Sequence, residues 1–406
     1  MYFSCINCEE KYSINENIYT CRKCGDLLEV KLDIQEVKRK IKDEKWRSIP
    51  ISVWRYSAFI PIRDYSKIIT LNEGGTRLHF CQRLAQELGI KSLYVKNEGD
   101  NPTASFKDRG MTVGVTRACE LNAKNLICAS TGNTSASLAA YAAKAGLNCY
   151  VIVPSGKIAY GKLAQAIIHG AHVIRIRGDF DQALKMVFKF SCENKDVYLL
   201  NSINPFRIEG QKTLSYEICE QLNKPPDWII IPVGNAGNIS AVWKGFVEFK
   251  ECGLIESLPR LAGIQAEGAA PIVKAFEKRV DIIEPIPNPE TIASAIRIGA
   301  PVSWKKALKA IYESKGVAIT VSDNEILKAQ KDLASKEGLF VEPASASTIA
   351  GLHKLLKFNI IKRDELVVCI ATGHGLKDPD IVLKMIDSTI EIEADLNSLI
   401  NLIKSV

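Results

Sequence analysis

Trp228-Ile229-Ile230-Ile231-Pro232-Val233-Gly234-Asn235-Ala236-Gly237-Asn238 is apolar for six residues and then turns abruptly polar and glycine-rich. A strand with one wet face alternates apolar and polar residues, whereas an unbroken apolar run implies burial on both faces, as in a parallel sheet covered by helices. Similar short runs recur at Ser92–Lys96, Asn125–Ala129, Asn148–Val153, His172–Arg175, Val197–Leu200, Leu261–Gln265, Val317–Val321 and Glu365–Ile370. Between them lie stretches with helical spacing, such as Ser135–Lys144, Asp179–Phe190, Arg207–Leu222 and Asn324–Ser335. Strand, helix and strand at this spacing predict an α/β fold of doubly wound parallel sheets.

The rest of the chain sets limits around that frame. At 406 residues, two or three domains are expected. The net charge of +7 comes from 53 basic and 46 acidic residues, and runs such as Lys38-Arg39-Lys40 are followed at once by Asp43 and Glu44. No basic stripe with interleaved aromatics stands out, so the charge reads as a solvated mixed surface and nucleic acid is not an expected partner. No run approaches the roughly 20 apolar residues of a membrane helix. Met1 to Glu10 lacks the basic and apolar regions of a signal peptide. The expectation is a cytoplasmic protein with no membrane partner. A charged, helical connector is expected around Lys38–Trp46, and Glu284-Pro285-Ile286-Pro287-Asn288-Pro289 reads as a surface loop.

Four of the 12 cysteines crowd into residues 1 to about 30, as Cys5-x-x-Cys8 and Cys21-x-x-Cys24 separated by twelve residues. Two thiolates from each knuckle suit one tetrahedral zinc ion, and so short a unit needs metal binding to supply its folding energy. Four cysteines leave no open position, so the zinc would be structural. The alternative is a ribbon whose cysteines stay reduced and empty. The other eight lie singly in mostly apolar surroundings, which fits a reducing compartment.

Four loops at predicted strand ends carry polar chemistry. In Asn101–Gly110, Ser105 and Asp108 look like a capping box, which sets Lys107 in the first turn of a helix. The positive end of the helix dipole there favours the neutral amine that condensation with an aldehyde requires; a surface lysine is the plainer reading. Ser130-Thr131-Gly132-Asn133-Thr134-Ser135 opens an alanine-rich helix and reads as an anion site or a simple cap. Gly234–Asn238 suits an anion nest, its two glycines letting amides turn inward. It matches neither the dinucleotide nor the nucleotide phosphate loop. Ala371–Asp378 contains Thr372 and His374, the latter an acid–base candidate or a histidine bonded to its own turn.

Taken together and in this order, these loops resemble the fold-type II pyridoxal-phosphate enzymes, and most closely the threonine synthase family. Asn101–Gly110 is similar to the cofactor-lysine motif, Ser130–Ser137 to the asparagine loop and Gly234–Asn238 to the phosphate loop. Asn201–Lys212, Gln265–Ile272, Thr291–Gly299, Val341–Ala346 and Thr372–Pro379 fit as well, so the likeness runs from about Leu71 to Asp380. It implies Lys107 as the lysine joined to the cofactor aldehyde, Asn133 at the ring oxygen, and Gly234, Asn235, Ala236, Gly237 and Asn238 around the phosphate. Thr372 would face the ring nitrogen. Ser130, Thr131 and Thr134 would take the substrate carboxylate, and Asn201, Ser202 and Arg207 the substrate phosphate, with Lys157 or Lys162 as helpers.

The family reaction converts O-phospho-L-homoserine and water to L-threonine and phosphate. The implied organisation is a zinc-ribbon-like unit (1–30), a large cofactor-binding domain (31–90 plus 205–406) and a small α/β domain (91–204), commonly in a homodimer. One departure is Asn72–Leu78, where Gly75 and Arg77 stand in place of the family's usual Ser or Thr and then Pro. Cysteate synthase, which joins phosphoserine to sulfite, and threonine or serine dehydratase share the fold. A zinc-ribbon binding protein with an inactive enzyme body is a reading of another class.

Overall fold

A computed structural model describes residues 1–155, 160–383 and 390–405. Three strands open the chain, β1 (Tyr2–Cys5), β2 (Lys11–Tyr12) and β3 (Leu28–Lys31), forming an antiparallel sheet in the order β2-β1-β3. A four-stranded sheet follows from β6 (Asn125–Ala129), β7 (Asn148–Pro154), β8 (His172–Ile176) and β9 (Val197–Leu199), all parallel in the order β8-β7-β6-β9. The largest sheet contains β4 (Leu78–Phe80), β5 (Ser92–Asn97), β10 (Trp228–Pro232), β11 (Arg260–Ala266), β12 (Val317–Val321) and β13 (Leu366–Ala371). Its order is β12-β11-β10-β13-β5-β4, parallel except for the edge strand β4.

The isoleucine run explains this arrangement. β10 is buried at every position and lies between β11 and β13. Ile229 and Ile231 point to one face, into a core with Leu214, Val242, Phe246 and Ile311. Trp228 and Ile230 point to the other, among Ile349, Leu352, Val367 and Cys369. Each fully buried isoleucine contributes roughly 1.5–3 kcal/mol, so the strand's apolar sequence is a large share of what holds both layers. The doubly wound α/β prediction is therefore met, with strand limits within a residue or two of those read from sequence.

Four local expectations change. β5 does not join the 91–204 unit: it pairs along its length with β13, because Leu93 and Val95 bury in the large-sheet core. The smaller sheet begins only at β6. The expected helix over 207–222 is broken into Pro205–Gln211 and Thr213–Leu222, where the Thr213 hydroxyl takes the Gly210 carbonyl at 2.7 Å. The connector is helical over Ile34–Ile41, capped by Asp33, and then bends at Glu44, whose φ is 54°. The first 30 residues are not free-standing, since Phe3, Leu28 and Val30 share a core with Val113 and Phe206.

The departure at Asn72–Leu78 has a steric cause. Gly75 has φ 61°, and a Cβ there would lie 2.2 Å from the Ile51 carbonyl oxygen. Among the described residues, no helix is long and apolar enough to cross a membrane.

Candidate functional site

Parallel sheets of this kind gather ligand loops beyond the carboxyl ends of their strands. A cavity of about 720 Å³ lies there between the two parallel sheets. Lys107, the loop after β6 (Ser130, Thr131, Asn133, Thr134), Asn201, Ser202 and Arg207, the turn Gly234–Asn238 and Thr372 all line it. Lys157 lies outside the described residues, as does the side chain of Lys162. The loop 285–289 is exposed at the surface, as expected, and also forms part of the cavity's wall.

Lys107 begins the helix Lys107–Glu120, but not through the expected capping box. The cap position is Phe106, without a side-chain bond, and the Ser105 hydroxyl is buried with no partner. Asp108 turns away and accepts from Thr103 N at 2.6 Å, the Thr103 hydroxyl at 2.5 Å and the Ser137 hydroxyl at 2.5 Å. Burial pushes its carboxyl up to about 6, against the pull of those bonds. On the other side Arg109 is fully buried, with Nε 2.5 Å from Glu98 Oε2 and Nη1 2.6 Å from Glu217 Oε1; Lys96 joins Glu217 at 2.7 Å. The lysine thus projects from a helix start anchored at both following residues. Desolvation, then the charge of Arg207, lowers its pKa to about 7, with Glu342 opposing.

The glycine turn after β10 leads into the helix Gly237–Glu251. The left-handed residue is Ala236, φ 65°, rather than either glycine. Gly234 is needed for closeness: a Cβ there would lie 2.9 Å from the Ala295 carbonyl oxygen. Asn235 is fixed by accepting from Val302 N at 2.9 Å. Both polar atoms of the Asn238 side chain are buried without a partner. Free amides at a helix start beside an orphaned carboxamide fit an anionic phosphate group.

Arg207 is buried, its Nε has no partner, and its Nη1 reaches only the Leu200 carbonyl at 3.4 Å. Among the described residues no carboxylate pairs with it. Burial lowers its pKa to about 10, which still leaves it a cation at neutral pH. A desolvated guanidinium with unused donors is suited to an incoming anion. Asn201 differs from expectation in detail, because its amide is taken up by both backbone groups of Ala129 at 2.9 Å and braces the loop.

Glu342 was not singled out from sequence. It is the buried acid that accepts from Asn133 Nδ2 at 3.0 Å and from the Thr372 hydroxyl at 3.1 Å. In sequence, a glutamate before Pro343 reads as a helix start, and only folding sets it opposite Asn133. His374 is a turn residue: its Nδ1 accepts from Leu376 N at 3.1 Å, and it is absent from the cavity wall.

The fit to pyridoxal phosphate is good on these grounds: a neutral-leaning amine, an anion cradle with orphaned polar atoms, and polar side chains spread between them. At the far end of the chain, the Sγ atoms of Cys5, Cys8, Cys21 and Cys24 all lie within 4.8 Å of one another. Tetrahedral zinc with Zn–S near 2.3 Å would set sulfurs about 3.8 Å apart, so the four thiols fit such an ion.

A family model described as pyridoxal-phosphate dependent enzyme matches residues 69–373. A threonine synthase of Methanocaldococcus jannaschii is 60% identical, covering 99% of both chains. One from Methanosarcina acetivorans is 54% identical, covering 98% of this chain and 97% of that one. The solved structure of maize serine racemase, 23% identical, superposes with a TM-score of 0.64 over 76% of this chain and 91% of its own, a likeness of fold. With its matching loops gathered on one cavity and relatives this similar over nearly their whole length, the chain belongs to the pyridoxal-phosphate-dependent enzymes and, among them, to the threonine synthase family.

Proposed function

We propose that this protein converts O-phospho-L-homoserine and water to L-threonine and phosphate, with pyridoxal phosphate as cofactor. The observation that carries this reading is Arg207, a buried cation that pairs with no carboxylate among the described residues and lies on the same cavity as Lys107. A dehydratase acting on unphosphorylated amino acids has no task for such a group. When bound, the cofactor supplies an electron sink that makes the substrate's carbon-bound hydrogens acidic.

The chain's own residues do the rest. Gly234, Asn235, Ala236, Gly237 and Asn238 hold the cofactor phosphate, Asn133 meets the ring oxygen and Thr372 the ring nitrogen. Ser130, Thr131 and Thr134 hold the substrate carboxylate. Arg207 binds the substrate phosphate with Ser202, while Asn201 braces the loop between them; this orients the leaving group and stabilises its charge. Lys107 would hold the cofactor through its amine, and the same amine is placed to act as the base that moves the α-proton. Its pKa of about 7 suits both taking and returning a proton near neutrality.

We further assign Cys5, Cys8, Cys21 and Cys24 to one structural zinc, and the protein to the cytoplasm as a homodimer. Lone, fully buried thiols such as Cys128 and Cys369 support a reducing setting. The deciding experiment is a steady-state assay with O-phospho-L-homoserine alone, run against phosphoserine plus sulfite. Threonine and phosphate released in equal amounts from the first is the expected result. Turnover only with phosphoserine and sulfite would make the protein a cysteate synthase instead.

A further inference from the structure

Glu342 is a buried acid that the assignments above leave without a task. It is 3% exposed, and both oxygens are engaged, Oε2 by the Asn133 amide and Oε1 by the Thr372 hydroxyl. Those are the two side chains assigned to the ring oxygen and ring nitrogen, so a single carboxylate holds both. The surrounding backbone is shaped for it. A Cβ at Gly373 would come within 2.8 Å of the Glu342 carboxyl carbon, so only glycine lets the acid lie against that turn. Glu342 N donates to the Gly373 carbonyl at 3.0 Å. Ser345 Oγ accepts from Gly373 N at 3.0 Å and lies 3.1 Å from Thr372 Oγ1.

Resting on the pyridoxal-phosphate reading, we propose that Glu342 is a positioning residue that orients Asn133 and Thr372, and whose own proton decides whether Thr372 presents a lone pair or a hydrogen to the ring nitrogen. A hydroxyl has one hydrogen to give. With Glu342 ionised, that hydrogen is spent on Oε1 and Thr372 offers only a lone pair, so the ring nitrogen must carry its own proton. With a proton on Glu342 Oε1, that proton goes to Thr372 Oγ1, and the threonine hydrogen is free for an unprotonated nitrogen. Both arrangements keep Asn133 donating to Oε2.

The environment of the acid favours its protonated form more than water does. Burial raises its pKa, while the bonds from Asn133 and Thr372 and the charges of Lys107 and Lys377 pull it back. Among the described residues, those two lysines are the charged groups acting on it, one from the start of the 107–120 helix and one from the turn Gly375–Lys377; Asn133, Ser345 and Gly373 around it are neutral. Burial lowers the pKa of Lys377, and Asp108, which faces it, acts to raise it.

The test uses holoenzyme rebuilt with pyridoxal phosphate carrying 15N in its ring, and follows the nitrogen's chemical shift against pH. In the wild-type protein the shift is expected to move between its protonated and unprotonated values within the pH range where the protein stays folded. Glu342→Gln, which keeps an acceptor for Asn133 and a donor for Thr372, is expected to hold the nitrogen at the unprotonated value at every pH. Glu342→Ala is expected to weaken cofactor binding by about tenfold or more in a fluorescence titration of apoprotein, the effect of leaving buried donors unpaired. Equal shift–pH curves for wild type and Glu342→Gln, or a wild-type shift that never moves, would overturn the proposal. Cofactor bound by Glu342→Ala as tightly as by wild type would overturn it too. A wild-type protein that takes up no cofactor would instead bring down the functional reading on which the proposal stands.

Discussion

Three ionisable side chains, Lys107, Arg207 and Glu342, line the cavity, and the charges of the other two act on Lys107 in opposite directions. Lys107 is lowered to about 7 from 10.5, first by burial and then by Arg207. The sign of the pH effect follows. Below pH about 7 the amine is protonated and cannot condense with an aldehyde, so borohydride trapping of pyridoxal phosphate by apoprotein should be half-maximal near that pH and fall as pH drops. Between the folded value of about 7 and the ordinary 10.5, the unfolded chain binds a proton that the folded chain lacks, so apoprotein stability should rise with pH in that window. Urea unfolding of wild type against Lys107→Met checks this; an identical rise in both would count against a buried neutral amine. Arg207→Met removes the repelling charge, so its trapping midpoint should move to higher pH. The same variant should raise KM for the phosphorylated substrate by about a hundredfold, the worth of a charge-assisted pair, while leaving the visible cofactor band in place. It should fold normally, since it removes a buried charge that has no carboxylate partner among the described residues.

Lys107 and Arg207 are held near each other by two helices that nearly touch. The helix Lys107–Glu120 crosses Pro205–Gln211 at Gly110 and Gly210. A Cβ on Gly210 would fall 1.7 Å from the Arg109 carbonyl oxygen, and one on Gly110 would fall 2.9 Å from the Arg207 carbonyl oxygen. Backbone clashes of this kind are relieved only by parting the helices. Gly210→Ala should therefore cost about 3 kcal/mol of stability in urea unfolding and should also raise KM, because it moves the arginine's helix off the lysine's. A stability loss under a few tenths of a kcal/mol would show that the two helices are not in backbone contact at this crossing. Elements of this size were unevenly legible in the sequence. β10 was plain because an apolar run has few other uses. The break at Lys212 was not, because it depends on one hydroxyl reaching one carbonyl. Ser105 and Asp108 had the right spacing for a cap, yet Thr103 and Ser137 compete for the same carboxylate and win.

The whole molecule adds a link between its first residues and the enzyme body. Lys306 donates to the Leu28 carbonyl at 3.1 Å, Lys244 to the Val30 carbonyl at 2.7 Å, and Arg117 to the Ile14 carbonyl at 2.9 Å. Tyr19 accepts from Leu199 N at 2.9 Å, and Asp26 pairs with Lys305. The unit therefore reaches from the four-stranded sheet to the helices Gly237–Glu251 and Trp304–Glu313, and Phe3 stacks edge-on against Phe206, next to Arg207. If four thiolates share a zinc, chelation should unfold the knuckles and free the backbone at Arg22 and Lys23, whose side chains are already exposed but lie in a tight turn, so that trypsin cuts within the first 30 residues. Cleavage there at the same rate with and without chelator would count against a bound metal. Melting temperature should fall with it, since the shared core around Val113 is then opened.

The amino-acid order was enough to specify the layers, because strands buried on both faces must be apolar throughout, and that pattern survives any arrangement of neighbours. It also named the loops, since glycine turns and helix starts are local. It did not reveal that Glu342 joins Asn133 to Thr372, nor that Arg207 is buried with no carboxylate paired to it among the described residues, nor that β5 belongs to the larger sheet. Those facts concern residues far apart in the chain, and charge pairing, desolvation and strand order exist only once folding has brought them into contact.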